Sequence, residues 1–412
     1  MTPGSTDVTS PVKQTRFLHS ISCTLVLAGL SGLAASPAAG QQSRADEIAQ
    51  RQAEKSAQLA PNTPTRTERA LDWFEDHFTD PNTAYLTFGG IYPSGGFAPG
   101  VAVRRAFGHA RLNVGGGYSV RGYKLAHASL NFPELAGNKV EVETRARWVD
   151  ATQVPFYGLG GDSIKDDRVN YGLRSLDLGG SATLKPVSWY RIGGGIASRR
   201  LEDRDGLGRR PSIETLHSPV TAPGLFSEAR YTQATAFTAI DWRESAGYTR
   251  SGGLYAVALN EFRDSEDNFS FRRVDAELRQ YIPLLKEHWV LAFRALLETT
   301  DVDNGQVVPY YLLPSLGGAN SLRGYPDFRF QDKHLLLLGA EYRWLPSRVV
   351  DMALFVDAGK VTAERRDLDL DGLKTTYGIG IRFHGPTFTP LRLDLARGDE
   401  GIRAHITGGL TF

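Results

Sequence analysis

The sequence predicts an all-β protein, a transmembrane antiparallel β-barrel of about 16 strands preceded by a secretory signal and a short helical N-terminal segment. Three observations predict this class. The chain begins with a basic and then apolar stretch, about 16 short segments after residue 83 alternate apolar and polar residues, and the last one, Ile402–Phe412, alternates up to a terminal aromatic residue. A strand with lipid on one face and water on the other needs this period of two.

Residues 1–40 are predicted to be a signal peptide. Lys13 and Arg16 precede an apolar run over residues 21–35, and small residues follow through Gly40. The run is shorter than the ~20 residues that span a bilayer, which disfavours a membrane anchor. The single cysteine, Cys23, lies within this stretch, so the mature chain is expected to contain no disulfide.

Residues 41–83 are predicted to form a polar, partly helical periplasmic segment. Gln41–Leu59 is rich in Gln, Ala, Glu, Arg and Lys, a composition typical of a solvated or disordered helix. Leu71, Phe74 and Phe78 then share one face at helical spacing. This short amphipathic helix either packs against the periplasmic mouth of the barrel or serves as an ordinary tether.

Residues 84–412 are predicted to be the barrel. The 412-residue chain has a net charge of +1, a mean hydropathy of −0.28 and, beyond the signal, no long apolar segment, which excludes helical membrane spans. Its 47 Lys and Arg against 46 Asp and Glu give no basic footprint for nucleic acid. A soluble β-sandwich can share this composition, so the number and pattern of the strands decide between the two classes.

The predicted strands alternate well, and their number is even, as bacterial barrels require. Their charged faces carry both signs in rows, as in Lys139, Glu141, Glu143 and Arg145, which is typical of side chains that line a water-filled lumen. The predicted spans are Ala84–Ile91, Pro99–Ala106, Arg111–Arg121, Lys124–Phe132, Lys139–Val149, Val169–Leu184, Ser188–Arg199, Arg230–Trp242, Gly252–Phe262, Phe269–Ile282, Trp289–Thr299, His334–Trp344, Val349–Ala358, Leu373–Phe383, Leu391–Ala396 and Ile402–Phe412.

Long and short connections alternate, which predicts the orientation. With a periplasmic C-terminus, the odd connections are extracellular and long, whereas the even ones are short periplasmic turns. The long connections are Ala151–Arg168, Leu201–Glu228, Thr300–Lys333 and Lys360–Gly372; the short ones are Lys185–Val187, Pro283–His288, Leu345–Arg348 and His384–Pro390.

The connection after the eleventh predicted strand carries the motif Gly317-Gly318-Ala319-Asn320-Ser321-Leu322-Arg323-Gly324-Tyr325, and Phe355-Val356-Asp357-Ala358-Gly359 follows in the thirteenth strand. In this the chain resembles the BamA/TamA outer-membrane assembly and translocation superfamily, and Phe156-Tyr157-Gly158-Leu159-Gly160 is also similar to that family. The resemblance covers roughly residues 84–412. It implies a loop that folds into the lumen, with Arg323, Gly324 and Tyr325 docked on the strand that contains Asp357 and Gly359.

The residue pattern agrees with this implication. Glu341 and Asp357 fall on lumen-facing positions of neighbouring strands, where two carboxylates need a counter-charge. The fork of Arg323 can pair bidentately with one carboxylate and bond the other. Gly324 is expected to allow a tight turn, and Tyr325 to pack on the barrel wall. The alternative is an ordinary surface loop.

Two other motifs have simpler interpretations. The triplet recurs at Arg121-Gly122-Tyr123, at a short hairpin tip where Gly122 serves a turn and Arg121 is merely polar. The run Asp367–Gly372 matches the start of an EF-hand loop, but Gly378 stands where the bidentate Glu is needed, so a solvated acidic loop is favoured over weak binding of a divalent ion. The chain shows no hydrolase, zinc-protease or phosphate-loop signature. No enzyme, cofactor or metal is therefore expected.

The resemblance implies a protein of the bacterial outer membrane that works among its lipids and assists assembly or translocation of unfolded outer-membrane or secreted proteins. It also implies a weak seam between the first and last strands. Gly408, Gly409 and the terminal Phe412 fit such a seam, although the glycines fit close backbone approach equally well. The alternative function is a passive pore, whose lumen charges would tune ion passage.

The chain departs from the family pattern ahead of the barrel. Family members carry POTRA domains there, and the roughly 40 polar residues of the predicted segment are too few for one such domain. A POTRA-less member is expected, in which either a soluble periplasmic partner receives the client or the barrel acts alone on the bilayer.

Overall fold

The structure, a computed structural model, describes residues 83–284 and 288–408. In this part of the chain a 16-stranded antiparallel sheet runs as a meander, each strand paired with the next along the chain, and curls into a nearly closed barrel. The predicted all-β class and strand number are confirmed. The predictions for the signal peptide and for nearly all of the segment 41–83 lie outside the described residues, as do those for Gly409 and Phe412.

Each predicted strand overlaps one strand of the structure. The barrel strands are β1 (Ala84–Gly89), β2 (Ala98–Phe107), β3 (Ala110–Tyr118), β4 (Lys124–Glu134), β5 (Val140–Phe156), β6 (Val169–Val187), β7 (Tyr190–Asp205), β8 (Glu228–Asp241), β9 (Gly252–Asp264), β10 (Phe271–Leu284), β11 (Trp289–Val302), β14 (His334–Ser347), β15 (Val350–Thr362), β16 (Lys374–Phe383), β17 (Leu391–Gly398) and β18 (Gly401–Thr407).

The remaining elements are short. β12 (Ser315–Leu316) and β13 (Phe330–Gln331) form a two-stranded ladder within the connection between β11 and β14. A helical turn lies at Leu135–Asn138, and 3₁₀ turns lie at Lys165–Asp167, Ile213–Thr215, Tyr310–Leu312 and Arg365–Asp367. Among the described residues no helix has the length and apolar character needed to cross a membrane.

The two faces of the sheet differ as the alternation predicts. On β9, Val257 and Leu259 point outward and are 46% and 48% exposed, while the intervening Ala258 and Asn260 face the lumen. On β10 the lumen face carries Asp275 and Glu277. A broad apolar outer surface is unfavourable in water and favourable in lipid, so this face is suited to a bilayer.

Four tryptophans mark one end of the barrel, which we call the turn end because β2–β3, β6–β7 and β14–β15 are joined there by two-residue turns. Trp289 pairs with Trp344 across β11 and β14, and the ring of Trp289 stacks on Tyr342 at 5.4 Å. Trp189 and Trp242 are 49% and 41% exposed at the same end. Tryptophan prefers the boundary between hydrocarbon and water, so this belt is consistent with a membrane interface.

The opposite end, the loop end, carries the long connections 157–168, 206–227, 303–333 and 363–373. Two of them, 206–227 and 303–333, contribute buried residues to an apolar core with the loop-end parts of the strands. Tyr310 lies at its centre, packed against Phe156 and Tyr171, and its hydroxyl donates to Asp203 Oδ1 at 2.7 Å. These connections therefore fold inward rather than standing free in solvent.

The strand bounds depart from the predicted ones where this core forms. β5 extends to Phe156, past the predicted end at Val149, because Val154 and Phe156 are fully buried beneath the loops, and a register shift between Ala151 and Val154 accommodates the extension. β18 ends at Thr407, so Gly408 lies just beyond the strand rather than within it.

Candidate functional site

The connection 303–333, which we call the latch loop, enters the lumen and turns at its tip, residues 317–325. Gly317 and Gly318 adopt φ of +118° and +86°, and the Tyr325 carbonyl accepts a 2.9 Å hydrogen bond from the Gly318 amide. A Cβ on Gly317 would lie 1.9 Å from the Pro326 carbonyl oxygen, so only glycine fits there. The motif noted in the sequence is thus a compact turn inside the barrel.

Arg323 at this tip is fully buried and bonds both predicted carboxylates. Its Nε and Nη2 donate to Asp357 Oδ2 and Oδ1 at 2.8 and 2.7 Å, and its Nη1 donates to Glu341 Oε1 at 2.7 Å. The guanidinium also lies over the Phe355 ring, with Cζ 3.3 Å from the ring centroid. The side chain is therefore held by charge, by geometry and by stacking together.

Electrostatics keep this arginine charged. Burial alone would lower the pKa of Arg323, but Glu341 and Asp357 outweigh burial and raise the pKa above its usual range. Thr376 supports the arrangement from β16 by donating to Asp357 Oδ2 at 3.1 Å. Because an unpaired buried charge is costly, the three charged groups stabilise the docked loop only as a set.

The charge cluster is larger than the sequence indicated. Glu341 also accepts hydrogen bonds from Arg343 Nε at 2.7 Å and from Arg382 Nη2 at 2.8 Å, and on β17 Arg392 pairs with Asp394 at 2.9 Å. All of these side chains are buried. Their lumen-facing parity was available from the sequence, but nothing there indicated that they meet one another around Arg323.

Two arginines of the barrel wall add to the bonds of Arg323 by binding backbone carbonyls of the loop tip. Besides Arg323, Arg294 on β11 donates to the Asn320 carbonyl at 2.8 Å, and Arg392 donates to the Ala319 carbonyl at 2.8 Å. The barrel wall thus supplies cations on both sides of the tip, and these bonds would be lost if the loop left the lumen.

Gly324 is needed for a reason other than the tight turn that the sequence predicted. Its φ is not in the left-handed region, but a Cβ there would lie 2.5 Å from the Gly398 amide nitrogen and 2.8 Å from Thr376 Cγ2. The residue is small because the loop backbone lies directly against β16 and β17.

Tyr325 packs edge-on against Phe330 at 5.1 Å, within a small apolar cluster that includes Leu316 and Leu322. Burial and Asp399 raise its pKa to about 12, so the hydroxyl stays protonated and donates to Asp399 Oδ2 at 3.1 Å. Gly359, also predicted to receive the latch, lies against Leu316 of the latch loop, since a Cβ on Gly359 would be 3.0 Å from Leu316 Cδ1.

The first and last barrel strands leave a seam. In the ranges 83–284 and 288–408, β1 and β18 are not hydrogen-bonded to each other, and they form the two ends of the sheet. Of the residues predicted to form this seam, Gly408 lies at the end of the described chain, near the Pro390 carbonyl.

The latch loop contacts both sides of this seam. On the β1 side, Asp327 Oδ2 accepts from the Ser94 amide at 2.9 Å, and Phe328 stacks on Tyr92 at 5.8 Å. On the β18 side, Arg329 donates to Glu400 Oε1 at 2.6 Å. The loop therefore bridges strands that do not pair directly.

β18 itself and the connection β5–β6 also contact the loop. On β18, His405 Nε2 is 2.7 Å from the Arg323 carbonyl oxygen. In the β5–β6 connection, the Gly160 amide donates to the Gln331 carbonyl at 2.8 Å. Gly160 belongs to the second motif that resembled the family, and it adopts φ of +88°.

The second Arg-Gly-Tyr copy lies at the loop end. Gly122 adopts φ of +81°, as a turn requires. Tyr123 is fully buried, with its hydroxyl 3.1 Å from Ser94 Oγ, and Arg121 donates to the Ser94 carbonyl. Arg121 is therefore more than a polar surface residue, since it holds the same β1–β2 connection that Asp327 contacts.

At the turn end, the connection 242–251 contacts the connection 384–390, although β10, β11, β14 and β15 separate them along the sheet. The Tyr248 ring stacks on His384 at 3.8 Å, and Ser245 Oγ donates to the Thr387 carbonyl at 3.0 Å. We call this contact the turn-end bridge. Burial lowers the pKa of His384, so the ring stacks as the neutral imidazole at pH 7.

The barrel wall also borders open space. A cavity of about 180 Å³ lies against β5–β8, where Gly180, Gly194 and Gly195 leave the wall bare and Glu143 and Arg145 contribute charge. In the acidic run Asp367–Gly372, the carboxylate of Asp369 is paired with a lysine, because Lys360 Nζ donates to Asp369 Oδ1 at 2.7 Å. Among the described residues no group of three or more His, Cys, Asp or Glu is arranged to hold a metal.

Comparison with known proteins agrees with the barrel fold. Residues 243–412 match the model of the Omp85 superfamily domain. The chain is similar to the crystal structure of BamA from Haemophilus ducreyi lacking POTRA domains 1–3, with 17% identity and a TM-score of 0.57 over 80% of this chain and 70% of that one. It is also similar to CdiB from Escherichia coli, with 14% identity and a TM-score of 0.53 over 79% of this chain and 62% of that one, less than two thirds of the CdiB chain. No curated protein sequence matches significantly.

Proposed function

Because the chain carries an Omp85 superfamily domain within a 16-stranded barrel, we propose that it is a bacterial outer-membrane protein that assists the assembly or translocation of other proteins. The loop end then faces the outside of the cell and the turn end the periplasm, consistent with the tryptophan belt and the short turns. Its clients are unfolded outer-membrane or secreted polypeptides. Its proposed role is mechanical rather than catalytic.

The observation that carries this proposal is the seam bridged by the latch loop. An unpaired strand edge is a template for another strand, and β1 and β18 present two such edges. A client strand that pairs with one edge gains backbone hydrogen bonds at once, inside a membrane where unpaired amides are costly. The seam is therefore a suitable place for a client to begin folding.

The latch loop is proposed to control that seam. While Arg323 is docked, Asp327 and Arg329 hold the β1–β2 and β17–β18 connections to one loop. Release of Arg323 would remove the common anchor, and the two edges could separate. The buried charges make release a discrete event rather than a gradual loosening, since a half-released arginine leaves carboxylates unpaired.

An insertion assay tests the proposal. The mature chain is reconstituted in liposomes, an unfolded outer-membrane barrel is added, and its folding rate is followed by heat-sensitive gel mobility. We expect the wild-type chain to accelerate folding over empty liposomes and Arg323→Ala to lose that acceleration, while Arg366→Ala, an exposed arginine in the connection 363–373, retains most of it.

A pore is the second candidate, and the charged cavity along β5–β8 favours it. It predicts ion conductance without any effect on client folding, and a conductance that rises when the latch loop is deleted. Conductance with no acceleration of folding would replace the proposed role with this one. No activity in either assay would indicate that a soluble periplasmic partner is required.

A further inference from the structure

A band of arginines lies on the outer face of the barrel at the loop end. It follows five consecutive strands, β6 to β10, and each member points away from the lumen. Its arginines are Arg174, Arg200, Arg230, Arg263 and Arg272. We call this set the arginine band.

The arginine band lies directly beside the apolar outer surface. Arg200 is paired in register with Leu176 on β6, and Arg272 is followed on the same face by Val274, whose partner on β9 is Leu259. Further toward the turn end the outer face is apolar, as at Ile196, which is 62% exposed. If the apolar surface meets hydrocarbon, the guanidinium groups lie at the level of the lipid headgroups.

The arginines outnumber the carboxylates that accompany them. Glu202, Glu228 and Glu261 share the same outer rows, so five arginines face three glutamates. Glu228 is contacted by both Arg200 and Arg230, the latter at 3.1 Å, and Glu261 is shared between Arg263 at 2.6 Å and Arg272 at 3.6 Å. Sharing leaves the band with a net positive charge.

These pairs are also open to a ligand. The five arginine side chains are between 40% and 61% exposed. In Arg200, Arg230 and Arg272 the contact to glutamate is made through Nε, so the edge between the two terminal nitrogens of each guanidinium remains for an anion. Exposed ion pairs of this kind contribute little in water, so an incoming anion displaces little stabilisation.

We propose that the arginine band binds the phosphate groups of lipid headgroups in the outward leaflet. The planar guanidinium matches a phosphate bidentately, and the low dielectric at the headgroup level strengthens the pairing. The glutamates that share these forks compete with the phosphates for them. The proposal depends on the outer-membrane placement proposed above, but not on the insertion activity.

The test measures lipid binding directly. The mature full-length chain is purified in non-ionic detergent, and lipid A carrying two phosphates is titrated in and counted by native mass spectrometry, with fully dephosphorylated lipid A as the matched probe. We expect the phosphorylated form to bind at least about tenfold more tightly. Equal affinity for the two forms would overturn the proposal.

Substitutions within the arginine band test whether the lipid binds there. In Arg200→Gln/Arg230→Gln/Arg263→Gln the affinity for phosphorylated lipid A should fall at least about tenfold. Arg366→Gln is the control, because Arg366 is 78% exposed in the connection 363–373 and pairs with Glu364, away from the arginine band. An unchanged affinity in the triple variant, or an equal loss in the control, would refute the assignment.

A variant expected to bind lipid more tightly separates a direct effect on binding from misfolding. Glu228→Gln removes the carboxylate shared by Arg200 and Arg230 and should tighten lipid binding by about threefold or more, which a merely structural role of these residues would not produce. Weaker binding in Glu228→Gln would contradict the proposal. All variants are also run in the insertion assay, so failure of lipid binding is distinguished from failure of client folding.

Discussion

At the scale of single residues, Arg323 is the group on which the docked loop depends most. Arg323→Ala would leave Asp357 with only Thr376 and backbone donors, and breaking a buried pair in this way costs about 3–5 kcal/mol. We expect the free energy of unfolding in detergent to fall by that order and added protease to cut the latch loop. Arg366→Ala, an exposed arginine away from the latch loop, should leave the loop protected. Unchanged cleavage in Arg323→Ala would exclude a docked latch.

Gly324 provides a test that involves no charge. In Gly324→Ala the new Cβ would meet the Gly398 amide nitrogen at 2.5 Å, so the tip must move away from β17. We expect protease sensitivity of the latch loop similar to that of Arg323→Ala. Gly89→Ala is the matched control, since nothing lies within 4 Å of its Cβ position and its φ is not left-handed. A protected loop in Gly324→Ala would show that the contact with β17 is dispensable.

The sequence predicted part of this site and missed part for a physical reason. Arg323, Glu341 and Asp357 could be found because a motif and strand parity coincide. Arg382 and Arg392 are equally lumen-facing, but which lumen charges meet depends on how far each strand is shifted along its neighbour. That stagger is set by the closure of the whole barrel and is not encoded in a local pattern.

At the scale of elements, strand positions follow from the period of two, because a sheet with an apolar outer face and a polar inner face imposes it on every strand. The strand bounds are less predictable at the loop end, because there the apolar strand residues are buried beneath connections rather than on the outer surface. β5 is the clear case, since its last residues are buried beneath connections that are distant in sequence.

The latch loop as an element gives a third prediction. Ser94 and Asp327 face each other across the contact between this loop and the β1–β2 connection, with the Ser94 amide 2.9 Å from the Asp327 carboxylate. Cysteines at both positions, joined by a bifunctional thiol crosslinker that a reductant cleaves, would tie the loop to the β1–β2 connection. We expect this crosslink to suppress insertion activity and a reductant to restore it. The only native cysteine, Cys23, falls in the predicted signal peptide, so the crosslink has no competitor in the mature chain.

The single variants Ser94→Cys and Asp327→Cys serve as controls, and the activity of each should not change when reductant is added. Full activity of the crosslinked double variant would mean that the latch loop need not leave the β1 side during function.

At the scale of the whole molecule, the turn-end bridge and the latch loop are connected through the wall. Arg343 Nη1 donates to the Thr249 carbonyl at 3.4 Å while its Nε bonds Glu341, which in turn accepts from Arg323. The turn-end bridge, through Arg343, and the latch loop, through Arg323, are thus linked to the same carboxylate, that of Glu341. If they influence each other, the effect must be reciprocal, since coupling free energy has no direction.

The fourth prediction concerns the turn-end bridge. Tyr248→Ala removes the ring stacked on His384 and should widen the turn-end opening. A cysteine placed at Ser181, which lines the lumen cavity, should then react faster with a membrane-impermeant thiol reagent added at the turn end. Trp189→Ala, an outward aromatic at the same end, should not change that rate. Equal rates in both variants would mean that the bridge does not restrict access.

The strand lengths carry a final consequence. β2 and β3 have 10 and 9 residues, whereas β5 and β6 have 17 and 19. At about 3.3 Å per residue and the usual strand tilt, the shorter wall rises only about 23 Å, against roughly 30 Å of hydrocarbon in an ordinary bilayer. In the proposed membrane placement, lipid beside the seam would compress to match this wall. In the proposed role, the membrane would be thinnest and most strained where a client strand enters, and elastic stress in the lipid itself would lower the barrier to insertion.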